Sequence, residues 1–317
     1  MKDKKEEEFC VETAFRKNMR GDVSAGLAAI KTLLNVLENY MYTNAPKDSA
    51  AQGGTVQELD LLLKKAAQAI RECGEPVTAI SSGCELFMKF ITLAKLDTDT
   101  FQECMQVMME RGKIFVNRLQ KARGKVAEEA LPFISDGCKI LTHSRSRVVL
   151  QAMLEAAKAN LRFKVFVTMS GPDNSGIEMH KELEKHGVDV TLILDSAVGY
   201  VMEQIDIVMV GAEGVTGNGG IINKVGTYTI GMAAARLKKP VYVLTESFKF
   251  SRIYPLNQQD LPNEFKYLAK HLKSENDLSK IHPLVDYTPP AYITLLFTDL
   301  GILPPSAVSD ELLKLYT

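Results

Sequence analysis

Through the first third of the chain, apolar residues recur at intervals of three and four. Leu27, Ile30, Leu34, Leu37 and Met41 share one helical face, and Leu59, Leu62, Leu63, Ala66 and Ile70 share another. The stretch between them, residues 43–55 (TNAPKDSAAQGGT), is polar with a proline and two glycines, and reads as a loop. Ser82-Gly83-Cys84-Glu85 has the S-x-x-E form of a capping box, which predicts a helix opening there and carrying Leu86, Phe87, Phe90 and Leu93. Phe101, Met105, Met108, Gly112, Phe115 and Leu119 predict one long helix that continues through Lys125 to Ala130 toward Pro132. Its methionines are read as core filling, with an adaptable partner surface as the alternative.

Beyond Pro132 the pattern changes to short apolar runs that alternate with helical stretches. Strands are predicted at 139–143 (KILTH), 163–169 (FKVFVTM), 188–194 (VDVTLIL), 206–210 (DIVMV), 240–245 (PVYVLT) and 292–297. Helices are predicted at 146–160, from a Ser175 cap to about His186, at 197–203 and at about 226–237. Strands alternating with helices of this length imply parallel βαβ units. The expected fold class is therefore α/β: an N-terminal helical domain (1–132), then a Rossmann-like parallel-sheet domain (133–317). Asp286-Tyr287-Thr288-Pro289-Pro290 reads as a rigid turn into the last strand. Residues 304–316 read as a C-terminal helix capped by Ser306 or Ser309.

Open parallel sheets bind ligands beyond the carboxyl ends of their strands. Three informative stretches fall there: Thr142-His143-Ser144-Arg145, residues 168–176 and residues 211–227 (GAEGVTGNGGIINKVGT). The last carries six glycines and Lys224 beside the start of a helix. Glycines admit close approach of backbone amides, and a lysine beside such amides suits phosphate. A long glycine turn is the plain alternative. His143 either orients a ligand or closes the strand end through hydrogen bonds, and 170–176 is more simply a surface loop than a lid. A dinucleotide fingerprint belongs after the first strand, where this chain has THSRSR, and no G-x-x-x-x-G-K-[ST] loop occurs.

Composition narrows the classes. The chain has 317 residues, 46% hydrophobic and 24% charged, with net charge −1. Near-neutral charge argues against direct nucleic-acid binding, and no apolar run is long enough to span a membrane. Cys10, Cys73, Cys84, Cys104 and Cys138 show no C-x-x-C pairing, so reduced thiols in the cytosol are expected, with no metal. The acid run Glu6-Glu7-Glu8 reads as a solvated or frayed end, and His180, His186, His271 and His282 as solvent-facing.

The combination ILTHSRSR, VGAEG, NGGIINKVGT and DYTPP resembles the initiation factor 2B regulatory-subunit family. That family also contains methylthioribose-1-phosphate isomerase and ribose-1,5-bisphosphate isomerase. Residues 81–94 (SSGCELFMKFITLA), 246–260 (ESFKFSRIYPLNQQD) and 297–316 (FTDLGILPPSAVSDELLKLY) align it with the regulatory branch rather than the enzymes. The resemblance implies a non-catalytic regulatory subunit of a guanine nucleotide exchange complex, which recycles initiation factor 2 from its GDP to its GTP form. It further implies a homodimer formed through the Rossmann-like domain, with the beta, gamma, delta and epsilon subunits as partners. The helical domain would sense the phosphorylated alpha subunit of initiation factor 2.

The family's enzymes supply a residue-level comparison. Their first strand ends in Thr-His-Cys-Asn with a catalytic cysteine, where this chain has Ser144 followed by Arg145. Their Arg-Pro pair corresponds to Gly171-Pro172, and their proton-shuttling aspartate to Glu213. A serine hydroxyl is a far weaker acid than a thiol, and Glu213 moves its charge by a methylene, so no catalytic residue is expected. Isomerase activity is the competing reading. The binding elements Asn218, Gly219, Gly220, Asn223 and Lys224 persist, joined by His143, Arg145 and Arg147. They imply a site for a sugar phosphate and for no other cofactor. Arg20-Gly21 matches an Arg-Gly pair that contacts phosphate in the isomerases, without a firm alignment there.

Overall fold

The computed structural model describes residues 9–43, 55–92, 100–266 and 283–316. Glu6-Glu7-Glu8, most of the 43–55 loop, Leu93, His271 and His282 lie outside the described residues. The chain divides into two compact units, residues 1–118 and 119–317. The division falls inside the long helix rather than at Pro132.

The first unit is helical: α1 (Val11–Asn18), α2 (Ala25–Thr43), α3 (Val56–Arg71), α4 (Val77–Thr92) and the first part of α5 (Phe101–Ala130). Helix α2 packs against α1, α3 and α4 and buries residues on most of its surface, Ile30, Leu33, Leu34 and Leu37 among them. A helix apolar nearly all round belongs at the centre of a bundle. Its buried Thr32 donates to Ala28 O (2.8 Å) and accepts from Asn18 Nδ2 (3.0 Å), so its hydroxyl is satisfied. The stripe of α3 runs through Leu59, Leu63, Ala66 and Ile70, but Leu62 is 37% exposed. Met105 and Met108 are buried in α5, as core filling requires.

The expected capping box at Ser82 is not there. Helix α4 starts at Val77 and runs through Ser82, whose hydroxyl donates to Thr78 O (3.2 Å) in the helix interior. An i−4 back-bond replaces the cap because the apolar face already begins at Val77 and Ile80. The capping box lies instead at Thr55, which accepts from Glu58 N (3.2 Å) while Glu58 Oε2 accepts from Thr55 N (2.9 Å).

The second unit is built on a seven-stranded sheet. Its strands are β1 (Lys139–His143), β2 (Lys164–Thr168), β3 (Asp189–Ile193), β4 (Ile207–Gly211), β7 (Val241–Leu244), β10 (Leu295–Thr298) and β11 (Gly301–Leu303). The order is β11-β10-β7-β4-β1-β2-β3, parallel except for β11. Helices α6 (Arg147–Lys158), α7 (Gly176–Lys185) and α9 (Thr227–Arg236), with the short α8 (Val198–Val201), supply crossovers. Met153, Met179 and Leu183 pack against Ile140, Val165, Val167 and Met209 of the sheet. The strand order reverses between β1 and β4, the position at which open parallel sheets place a ligand crevice.

Two readings of the chain change here. The 211–227 stretch is not one loop, since β5 (Gly214–Thr216) and β6 (Ile221–Lys224) form a hairpin within it. Residues 286–288 are not a turn, since β9 (Val285–Thr288) pairs antiparallel with β6. With β8 (Phe250–Ser251) they make a second sheet of order β8-β5-β6-β9, whose core holds Ile222, Leu261, Val285 and Tyr287. Tyr287 alternates with the buried Asp286, and a strand with both faces covered shows no polar–apolar alternation to read. The C-terminal helix begins at Val308, after a short turn at Pro305–Ala307, so Ser309 sits in its first turn.

The cap geometry gives a direct test. Thr55→Ala is expected to lower stability by about 1 kcal/mol. Ser82→Ala is expected to change it by less than about 0.5 kcal/mol, since alanine is the better interior helix residue. Urea midpoints of the two variants check both; equal losses would contradict the assignment.

Candidate functional site

The candidate site lies in the second unit, at the carboxyl ends of β1, β2, β3 and β4. His143, the last residue of β1, is buried, and it bonds on both sides. Its Nδ1 meets Thr168 Oγ1 (2.5 Å) at the end of β2, and its Nε2 meets Val225 O (3.0 Å) between β6 and α9. A carbonyl only accepts, so Nε2 carries the proton and the Thr168 hydroxyl donates to Nδ1. Burial holds the imidazole below its ordinary pKa, against the pull of Asp195 (3.7 Å). His143 is thus a neutral brace between three strand ends.

Ser144 follows in the left-handed region at φ 62°. Its Oγ lies 2.7 Å from Ser175 Oγ, at the start of α7. Ser175 does not cap α7 with its side chain as the sequence suggests; its hydroxyl donates to Asp173 Oδ1 (2.8 Å) instead. The other Asp173 oxygen receives Lys224 Nζ (2.5 Å) from the end of β6. The amides of Ser170 and Gly171 are held by Asp195, at 3.0 and 3.1 Å. One chain of contacts, Lys224–Asp173–Ser175–Ser144, therefore closes the crevice over loops from three different strands.

The hairpin explains the glycines differently from a ligand cradle. A Cβ on Gly219, which has φ 84°, would stand 2.1 Å from Pro305 O; one on Gly220 would meet the Tyr287 ring at 2.5 Å; one on Gly217 would meet the Tyr254 ring at 2.3 Å. The close approach is by the protein's own chain. Asn218 is committed in the same way: Oδ1 accepts from Thr216 Oγ1 (2.5 Å) and Gly220 N (3.2 Å), and Nδ2 donates to Pro255 O (3.1 Å) and Tyr287 OH (2.8 Å). Asn218, Gly219 and Gly220 sit at the hairpin tip, with Asn223 and Lys224 at the far end of β6. Asn223 is buried, and its Nδ2 donates to Thr227 Oγ1 (3.0 Å).

Of the residues expected to meet, His143, Ser144 and Lys224 are joined through the loop after β2, while Asn223 bonds to Thr227. Arg145 turns to α7, where its guanidinium makes a paired contact with Glu182 (2.8 and 3.2 Å). Arg147 is the first residue of α6. Gly171 lies in the loop after β2, preceding Pro172 through a cis bond. Glu213 presents an enclosed Oε2 with no hydrogen-bond partner. Burial raises its pKa first of all, Lys224 and Lys249 draw it down, and Asp173 pushes it up.

Three acidic residues escaped the sequence reading. Asp173 stands within the singled-out 168–176 stretch, and Asp195 directly follows β3, where the strand-end rule could have found it. Asp286 was hidden in the supposed turn. Its Oδ2 accepts from Gly226 N (2.7 Å) and Tyr228 N (3.0 Å), supplying from β9 the cap that Gly226 lacks as the residue before α9. Burial raises its pKa to about 7 against these two bonds, and its Oδ1 is enclosed without a partner.

Residues 18–305 match the model of the initiation factor 2 subunit family. The chain is 41% identical over 309 residues to a Caenorhabditis elegans protein named translation initiation factor eIF2B subunit alpha, covering 96% of this chain and 97% of that one. It is 28% identical over 265 residues to ribose 1,5-bisphosphate isomerase of Archaeoglobus fulgidus, covering 80% of each chain. Among solved structures, a chain of the tetrameric eIF2B beta2-delta2 complex from C. thermophilum superposes with a TM-score of 0.72 over 96% of this chain and 94% of that one. At 19% identity that likeness speaks to the fold alone.

The Asp286 carboxyl makes stability depend on pH with a definite sign. In the unfolded chain it ionises near 3.9, whereas in the folded chain it keeps its proton to about pH 7. Between those values the folded state binds the extra proton, so rising pH removes stability. Asp286→Asn is expected to gain on the parent protein as pH climbs from 4 to 7. At about 1.4 kcal/mol per decade of pH the ceiling is about 4 kcal/mol. Urea unfolding of both proteins across that range is the measurement, and parallel curves would refute the assignment.

Proposed function

The chain belongs to the initiation factor 2 subunit family, and from that membership we propose that it is an alpha-type regulatory subunit of the initiation factor 2B guanine nucleotide exchange complex. The observation that carries this reading is the near end-to-end match, at 41% identity, to a relative named for that subunit. The site chemistry supports it. Ser144 stands where the family's isomerases use a cysteine; its hydroxyl is tied to Ser175, and its neighbour His143 is neutral and bonded on both sides. A serine without a free base beside it is a poor acid and a poor nucleophile. Glu213 replaces the proton-carrying aspartate, and Gly171 replaces an arginine.

On this reading the chain acts by binding and population shift, not by covalent chemistry. It joins the beta, gamma, delta and epsilon subunits, forms a homodimer through the α/β unit, and works in the cytosol. Its helical unit responds to the phosphorylated alpha subunit of initiation factor 2. The crevice retains a binding role, with Lys224, Asn223 and the amides around them serving the phosphate of a sugar phosphate.

Affinity purification of the tagged chain from its own cells should recover the beta and delta subunits. A chain that repeatedly purifies without them is not a subunit of this complex. With ribose 1,5-bisphosphate as substrate, no ketose product should form; turnover lost on Glu213→Gln would establish the isomerase reading instead.

Ribose 5-phosphate at ten times its dissociation constant should stabilise the protein by about 1.4 kcal/mol. That corresponds to a rise of about 2–4 °C in melting temperature. Lys224→Met should abolish the rise. An unchanged melting temperature at millimolar ligand would remove the phosphosugar reading and leave the subunit assignment standing.

A further inference from the structure

The crevice already contains an anion, and it comes from the protein. Lys224 Nζ, a cation of β6 at the strand ends, is held by Asp173 Oδ2 (2.5 Å). The second Asp173 oxygen accepts from the Ser175 amide (3.1 Å) and the Ser175 hydroxyl (2.8 Å), at the amino end of the ten-residue helix α7. An ammonium, a helix-terminal amide and a hydroxyl are the donor set that binds a phosphate oxygen. Ser144, bonded to Ser175, adds a second hydroxyl within reach.

Two further observations concern the same strand-end loops. Ser170 is 1% exposed, and its Oγ has no hydrogen-bond partner. Glu213 Oε2 is enclosed and unpartnered, and the charges of both Lys224 and Asp173 act on its carboxyl. Buried polar atoms without partners are uncommon and mark a space that something polar can fill. Asp173 itself is partly exposed, with 39% of its side chain in contact with solvent. It sits on the loop that carries the left-handed residues Ser170 and Asn174, and that loop is anchored at its start by Asp195 through the Ser170 and Gly171 amides. The carboxylate is therefore at the solvent end of the contact chain, the end that can leave.

We infer that Asp173 occupies the phosphate subsite as an internal competitor, and that a ligand enters only by exchanging with it at Lys224, Ser175 and Ser144. This rests on the phosphosugar reading and adds to it a rule of selection. A singly charged carboxylate offers Lys224 no more than Asp173 already does, and Asp173 has the advantage of being tethered. A phosphate monoester brings about two negative charges and a third acceptor oxygen, and its charge repels the departing carboxylate. Asp173 thus sets a charge threshold: dianionic phosphorylated sugars pass it, and sugar acids do not. In the ligand-free protein the same contact holds the three strand-end loops together.

The test is calorimetric titration of the full chain and of Asp173→Asn with ribose 5-phosphate and with ribonate, a singly charged sugar acid. Asparagine keeps an acceptor for Ser175 and removes the charge, and circular dichroism confirms that the variant is folded. The expected result is at least about tenfold tighter binding of ribose 5-phosphate by the variant, because the competitor's occupancy no longer divides the intrinsic affinity. The variant should also bind ribonate, which the parent protein does not. Equal affinities of the two proteins for ribose 5-phosphate would overturn the competitor and leave the pocket standing. Binding of ribonate by the parent protein would overturn the threshold. Failure of both proteins to bind either ligand would overturn the phosphosugar reading and this inference with it.

Discussion

The carboxyl edge of a parallel sheet ends in loops whose amides no neighbouring strand can satisfy, and here buried and half-buried carboxylates meet that demand. Asp195, after β3, accepts from the amides of Ser170 and Gly171 after β2. Asp286, on β9, accepts from Gly226 and Tyr228 at the head of α9. Asp299, after β10, accepts from the Ser247 amide (2.6 Å) and hydroxyl (2.8 Å) after β7. Each acid stabilises a loop belonging to a different strand, so the edge is held by cross-braces rather than by the loops themselves. Leaving such amides unpaired would cost about 1–3 kcal/mol each.

The same logic supports Glu213 from behind. Lys249 donates to Ala212 O (2.9 Å), the residue before Glu213, and pairs with the buried Glu246 (2.8 Å), which Arg123 also faces at 3.9 Å. Burial alone would raise the Glu246 pKa, but Lys249 and Arg123 draw it below the ordinary value, so it stays ionised. Glu213 lacks such a partner at Oε2 and is pushed the other way. Two glutamates near one lysine are thus pushed in opposite directions: Glu246 is drawn down by its ion pairs, and Glu213 is pushed up by burial.

Much of the architecture was legible along the chain. Periods of three and four placed α2, α3 and α5, and dense apolar runs placed β1 to β4, β7 and β10, because burial on one face or two imposes those spacings. The reading failed where a side chain has two plausible local partners. Ser82 fits a capping box or a helix interior, and only the apolar face of Val77 and Ile80 decides for the interior. The glycine-rich stretch fits a ligand loop or a hairpin tip. What decides is that Pro305, Tyr254 and Tyr287 press against Gly219, Gly217 and Gly220, contacts made by residues 37 to 86 positions away.

Of the candidate site, the strand-end positions His143 and Ser144 followed from the sequence, since an open parallel sheet gathers its strand ends at one edge. The sequence by itself determined the α/β class, the helical first unit and that gathering of strand ends. Tertiary structure alone decided that Arg145 turns to Glu182, that Asn218 braces a hairpin, that Asp286 caps a helix from another strand, and that Asp173 holds Lys224. These are contacts between residues distant in sequence, set by hydrogen-bond geometry to within tenths of an ångström, and no local spacing of residues encodes them.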